Sequence, residues 1–393
     1  MNARVVWIAC AAIVACGART DLGGAKKSDA AASCQPAPAP TSHCTGWTMH
    51  QTSVFAKPPP PGQSLEIEGV IRTGCEALVA WASWDSSGDA TSVWTTATLG
   101  FDGASDGTVA HPGLSAKITG SPSLSLAQNG GRVGALESDE TGCRFVALDA
   151  SGHETSSVVS AGATGCGLLA PDGDAFSFLR AQDGELTPVT LTKLDASGQP
   201  GSPTTLSLPS GQALWDRLAF DDQTFLLYTF IEDTTTGAYT GWLAPFDATG
   251  ATLAPQVTET GVPTAPLSLA ATKSGALASW TWSSAKVRPI ERHGAPTGPD
   301  VDVTGPATVY DTLLVPAPDG DVLFAWTELD GAAFSLHAIA LAPDGTPRGP
   351  ATVLDPKMDD ARLYGAVEST GARALLVRST IDGLAASSLD CVE

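Results

Sequence analysis

The residues best equipped for chemistry in this chain are carboxylates, and eleven of them recur in comparable places. They are Asp85, Asp89, Asp139, Glu140, Asp183, Glu185, Glu232, Asp233, Glu328, Asp330 and Asp382. Each lies in a variable stretch just after an apolar run, and no Lys or Arg accompanies them unless Lys286, at the edge of the fifth stretch, is counted. If brought to one rim, they would attract a basic partner or offer oxygen ligands to calcium. No stretch has EF-hand spacing, so neither metal nor cofactor is otherwise expected. The plainest use of such a rim is a solvated surface that keeps copies apart. The six histidines (His43, His50, His111, His153, His293 and His337) stand at no metal-ligand spacing. No G-x-S-x-G elbow or phosphate-cradling glycine loop is present, and no catalytic residue is assigned.

What could gather these carboxylates is a repeat. A turn follows an apolar run at Asp102, Asp149, Asp195, Asp247, His293, Asp344 and Asp390, at intervals of 47, 46, 52, 46, 51 and 46 residues. A period near 48 residues with strand-like segments inside it predicts a β-propeller. Each copy reads as strand, Gly/Asp turn, strand, variable loop, strand, the counted turn, strand. The stretch from Cys166 shows it plainly as CGLLA, PDGD, AFSFLRA, QDGELT, PVTLTKL, DASG and PTTLSL. The expectation is therefore an all-β, seven-bladed propeller of four-stranded blades. Its last copy ends after a third strand, so residues Cys44–Ala56 are expected to supply the missing edge strand and close the ring.

Within that frame, the first strands line a channel and carry Glu66, Glu68, Arg72, Arg217, Asp311, Arg362 and Glu368, read as paired or solvated channel residues. Trp81, Phe178, Tyr228, Trp280 and Trp326 recur in the second strands and are expected to fill the wedge between blades. Trp84, Trp94 and Trp282 break that register and are expected to be exposed.

The N-terminus supplies an address. After Arg4, residues Val5–Ala15 form an apolar run too short to span a bilayer and suited to a secretory signal. Its end, Ile13-Val14-Ala15-Cys16-Gly17, resembles the lipobox of bacterial lipoproteins. That resemblance implies lipidation at Cys16, removal of residues 1–15, and attachment to the membrane through lipid alone; Gly17 fits sorting to the outer membrane of a Gram-negative cell envelope. Residues 16–43 read as a Pro/Ala/Ser-rich tether and 44–393 as the propeller. The turns at Ala170-PDGDAFSF and Ala317-PDGDVLFAW resemble the repeat of TolB-type periplasmic propellers, in the wider WD40-like class, although the WD40 signature dipeptides are missing.

Setting aside Cys10 and Cys16, six cysteines remain, and an exported protein is expected to pair them. Cys143 and Cys166 begin strands of neighbouring blades, Cys44 and Cys391 meet at ring closure, and Cys34 with Cys75 follows by elimination. The formal charge of −21, or −22 once Arg4 is removed, argues against nucleic acid as a partner. The expectation is a monomeric binding or interaction module of the envelope that takes an envelope protein or a basic ligand. The alternative is a glycan- or peptidoglycan-acting hydrolase or lyase with a channel site, and a purely structural envelope protein comes third.

Overall fold

A computed structural model of the chain describes residues 36–60, 63–85, 93–111, 123–139, 142–162, 165–180, 189–207, 214–219, 224–233, 238–253, 257–262, 268–281, 284–331, 333–358 and 362–393. These residues form four-stranded antiparallel sheets and no helix.

Six sheets are each one continuous run of chain. They comprise β2 (Gln63–Thr73), β3 (Glu76–Asp85), β4 (Val93–Gly100) and β5 (Ser105–His111); then β6 (Ser123–Asn129), β7 (Arg132–Asp139), β8 (Gly142–Leu148) and β9 (Val159–Gly162). Next come β10 (Cys166–Asp172), β11 (Ala175–Arg180), β12 (Thr190–Leu194) and β13 (Thr204–Thr205); then β14 (Leu214–Ala219), β15 (Thr224–Asp233), β16 (Ala238–Asp247) and β17 (Val257–Val262). The last two are β18 (Ser268–Ala271), β19 (Gly275–Thr281), β20 (Ala285–Glu291) and β21 (Val301–Asp302), and β22 (Val309–Pro316), β23 (Val322–Asp330), β24 (Ala333–Leu341) and β25 (Thr352–Met358).

A further sheet is composite. It joins β26 (Tyr364–Val367), β27 (Arg373–Thr380) and β28 (Gly383–Val392) to β1 (Gly46–Ala56) from the other end of the chain. The expectation of seven repeat blades is thus corrected to six, with this closing sheet drawn from both termini between the first and the last. Asp390, where the period predicts a seventh turn, lies inside β28 and pairs with Thr48 on one side and Arg373 on the other.

Among the described residues, the turn between third and fourth strands has six copies. The N–H groups of Gly103, Gly152, Gly198, Gly250, Gly294 and Gly345 donate to the carbonyls three residues earlier at 2.8 to 3.0 Å. All six glycines hold φ between +81° and +85°, a region L-residues with side chains avoid. By that alignment the turn opens at Gly100, Asp149, Asp195, Asp247, Glu291 and Ala342, so Asp102, His293 and Asp344 stand two residues further on. Asp serves at either place. Asp149 Oδ1 accepts the N–H groups of Ser151 and His153 at 2.9 Å, whereas Asp344 Oδ1 accepts that of Thr346 at 2.9 Å.

First strands of neighbouring sheets touch in the cyclic order β2, β6, β10, β14, β18, β22, β26 and back to β2, so they surround the axis. An apolar core fills each wedge between sheets. Trp81 packs with Tyr364, Leu375 and Leu384 of the closing sheet, Phe178 with Phe145 of the blade before it, and Trp326 with Leu277 and Val287. Burying each such side chain contributes roughly 1.5–3 kcal/mol. Trp94 corrects the expectation of an exposed ring. It is 1% exposed and packs against Leu124 and Val133 of the next blade, because β4 turns that residue inward opposite Ala82. Trp282 lies outside the described residues.

Two faces result. The second-to-third connections of every blade open on one side, called here the loop face, and the remaining hairpins on the other, the turn face.

Candidate functional site on the loop face

Four second strands end on aspartate at the loop face: Asp85 closes β3, Asp139 closes β7, Asp233 closes β15 and Asp330 closes β23. Antiparallel blades arranged about one axis place these residues at equivalent positions on one side of the molecule. Glu232 precedes Asp233, and Asp382 stands exposed in the hairpin between β27 and β28. Glu328 is about a third exposed and faces His337 Nε2 at 3.7 Å. Asp89, Glu140, Asp183 and Glu185 lie outside the described residues.

At the axis, the structure brings together four of the seven charged first-strand residues. Glu66 and Glu68 come from β2, Asp311 from β22, and Arg362 from just before β26. Arg362 Nη1 forms an ion pair with Glu66 Oε1. The Asp311 carboxylate accepts the N–H of Leu363 at 2.9 Å and its own neighbour Thr312 N–H at 2.9 Å, so it ties β22 to the segment carrying Arg362. Glu368 is buried and belongs to the opposite end of β26, where it accepts the Ala37 N–H at 3.0 Å. Arg72 lies toward that same end of β2, beside Ala77 of β3.

Between β2 and β26 a cleft of about 210 Å³ opens, lined by Ser64, Glu66, Arg362, Tyr364 and Ser379 with apolar walls from Leu65 and Ile67. Tyr364 was missed in the sequence; its only signal is its place as first residue of an inner strand. Glu68 is 6% exposed and its Oε1 has no hydrogen-bond partner. Burial, followed by the charge of Glu66, holds its carboxyl well above the usual carboxylate range, against the pull of the Leu124 N–H and of Arg362. Burial, and next the charge of Glu68, likewise pushes the Tyr364 phenol well up. The mouth therefore sets a carboxyl whose pKa burial raises near a carboxylate held by a guanidinium.

Cysteines staple the frame. Cys143 bonds Cys166, joining adjacent blades across 23 residues, and Cys44 bonds Cys391 across 347 residues at the composite sheet. Cys75 is disulfide-bonded as well. Cys34, proposed as its partner, and Cys16, the proposed lipidation site, lie outside the described residues.

On the turn face, the segment before β1 is held down by side chains. Thr41 donates its N–H and its hydroxyl to Glu393, each at 2.6 Å. His43 Nδ1 lies 2.8 Å from Asp321 and 3.5 Å from Asp319. These three residues could ligate a cation through one imidazole and two carboxylates, but Asp321 is already gripped by Arg348 through two bonds, at 2.8 and 3.2 Å. The arrangement acts as a clasp.

No family model matches this sequence, and no curated protein does. Among solved structures, the chain is similar to the Cps50 (Swd1) β-propeller domain of Myceliophteria thermophila, at 14% identity and a TM-score of 0.50, covering 84% of this chain and all of that one. It is also similar to the WD40 β-propeller domain of Doa1 (11% identity, TM-score 0.49, covering 88% and 97%). A prolyl endopeptidase matches at 10% identity and a TM-score of 0.49 over 86% of this chain, which spans about half, 51%, of that longer protein. The likeness to the Cps50 (Swd1) domain shows the β-propeller fold.

Proposed function

We propose that this propeller is an exported, lipid-anchored interaction module of the cell envelope whose loop face captures a basic partner. The observation that carries the reading is the set of second strands ending on Asp85, Asp139, Asp233 and Asp330 at one face. Like charges at equivalent places raise a negative potential that steers cationic partners and excludes nucleic acid. The lipobox ending at Cys16 supports the anchor, and the disulfides suit an oxidising compartment.

Titrating a fluorescent decalysine into the purified full-length protein tests the module. Binding should weaken as salt rises, because exposed charges are screened over about 10 Å at 0.1 M. Exchanging all four strand-end aspartates for Asn should abolish it; binding indifferent to salt and to those exchanges overturns the reading. Cys16→Ser should release the protein from the membrane fraction, and unchanged fractionation removes the anchor.

A second reading, a glycan- or peptidoglycan-acting hydrolase or lyase, is favoured by one observation. Burial raises the Glu68 carboxyl well above the usual carboxylate range with a second carboxyl, Glu66, two residues away on the same strand, the pattern from which a general acid and its partner carboxylate are built. Product release from peptidoglycan that disappears in Glu68→Gln would establish this reading.

A further inference from the structure

We infer that Thr96, His111 and Glu154 form an acid-sensitive joint between the first blade, β2–β5, and the second, β6–β9, closed while the imidazole is neutral and loosened by a proton. The joint is independent of the loop-face reading.

Its geometry is a hydrogen-bond relay across the interface. His111, the last residue of β5, is 1% exposed. Its Nε2 lies 2.9 Å from the Thr96 hydroxyl of β4. Its Nδ1 lies 3.2 Å from Oε1 of Glu154, which belongs to the turn of the second blade. The carboxylate accepts, so Nδ1 donates to it and Nε2 is left to accept the Thr96 hydroxyl proton. That turn sits tightly on its neighbour. A Cβ at Gly152 would stand 2.5 Å from Thr96 Oγ1 and 2.9 Å from Leu78 Cδ1. Backbone bonds from Asp149 to His153 and from Thr155 to Ala147 fix the residues around Glu154.

The counterpart turns are closed by other means. Gly198 rests on Phe145, Gly250 on Leu206 and Gly345 on Leu277, all apolar. Two residues beyond those glycines stand Pro200, Thr252 and Pro347, where the second blade has Glu154. An imidazole and a carboxylate at this place are therefore a departure from the repeat rather than a product of it.

Solvent acid adds its proton at Nε2. The Thr96 hydroxyl then becomes the acceptor toward His111 and can donate instead to the Gly152 carbonyl, 3.4 Å away. The hydrogen bonds survive this exchange, but a cation now sits where water does not reach, with Glu154 as its counter-charge. Burial holds the imidazole below its ordinary value of 6.5; Glu154 pulls the other way by its bond and its charge, and His153 adds to the lowering. Among the described residues those two are the titratable groups acting on His111, both from the second blade, while β4 faces it with Thr96 and Trp94. Opening the joint returns the imidazole to water, so the open form binds the proton more tightly than the closed one. Opening is thus least above the ordinary value and grows as pH falls from there through the folded value.

Hydrogen exchange of the full-length protein, corrected for intrinsic rates and followed to either side of pH 6.5, tests the joint. Amides of residues 149–155 should lose up to about tenfold in protection per pH unit below that value, the limit for uptake of one proton. Those of the counterpart turn at 195–200 should stay level. His111→Gln should make the first turn level too. An NMR titration of histidine-labelled protein should place the His111 midpoint below 6.5, lower still in Glu154→Gln and higher in His153→Ala. Opposite shifts are not a product of general damage to the fold. If His111→Gln fails to fold, the more exposed Glu154 and His153 positions carry the test. A turn at 149–155 as level as that at 195–200, a His111 midpoint at or above 6.5, or a midpoint indifferent to both exchanges overturns the joint.

Discussion

The two faces of this propeller use the same side chains for opposite ends. On the turn face, carboxylates are consumed in holding backbone and neighbours: Asp149, Asp195 and Asp247 cap their own turns, Asp321 bridges Arg348 and His43, and Glu393 pins Thr41. On the loop face, Glu68 keeps an oxygen without a partner, Tyr310 and Ile381 stand in solvent, and strand after strand ends on aspartate. An acidic composition alone therefore says little. On the turn face these carboxylates are held either by backbone donors two to four residues away or by Arg348, His43 and Thr41.

The strongest challenge to this contrast comes from the turn-face staple. Cys391→Ser should cost roughly 5 kcal/mol by chain entropy, because the bond closes a loop of 347 residues. Unfolding in denaturant without reductant measures it, and a negligible loss would mean the clasp residues hold the end strand unaided. A loop-side control follows. Glu137 is fully buried in β7 and pairs with Arg144 of β8 through bonds of 2.6 and 2.8 Å. Arg144→Met should destabilise by about 3–5 kcal/mol by removing the guanidinium from a buried carboxylate, whereas exchange of both residues for apolar ones should recover most of it.

Smaller effects sharpen the picture. Asp149→Ala should cost about 1 kcal/mol through two lost turn bonds, read as a lowered melting temperature, while Asp382→Ala should cost nothing measurable. The subtlest expectation concerns shape rather than size. Because burial raises the folded-state pKa of Glu68, its contribution is fully present below the unfolded-state value near 4.5 and is lost as pH climbs through the folded value. Glu68→Gln should flatten that decline, and a stability profile unchanged by the exchange would show that burial does not raise the Glu68 pKa.

Much of this architecture was legible in the sequence. Gly152 and its five counterparts punctuate the chain because only glycine settles comfortably at that φ, and the strand periodicity between them is clean. Position within the turn was harder to read, since aspartate caps backbone equally well from two places two residues apart. Trp94 misled because its inward direction depends on β4 pairing rather than on composition. Tyr364 and the orphaned oxygen of Glu68 could not be anticipated: burial, not residue type, gives them their character. The meeting of His43 with Asp321 joins residues 278 positions apart (321 − 43), and no local pattern announces it.

The composite sheet has a consequence for how the molecule comes into being. β1 leaves a ribosome before any of the six continuous blades, yet its hydrogen-bonding partner β28 is made after all of them. Until then the six continuous blades can only form an open arc, with a sticky flank at each end and the Cys44 thiol waiting for a mate not yet synthesised. Closure is an event in time as well as a feature in space. A chain stalled before β28 would present those flanks to its neighbours, so closure of the ring waits on that strand.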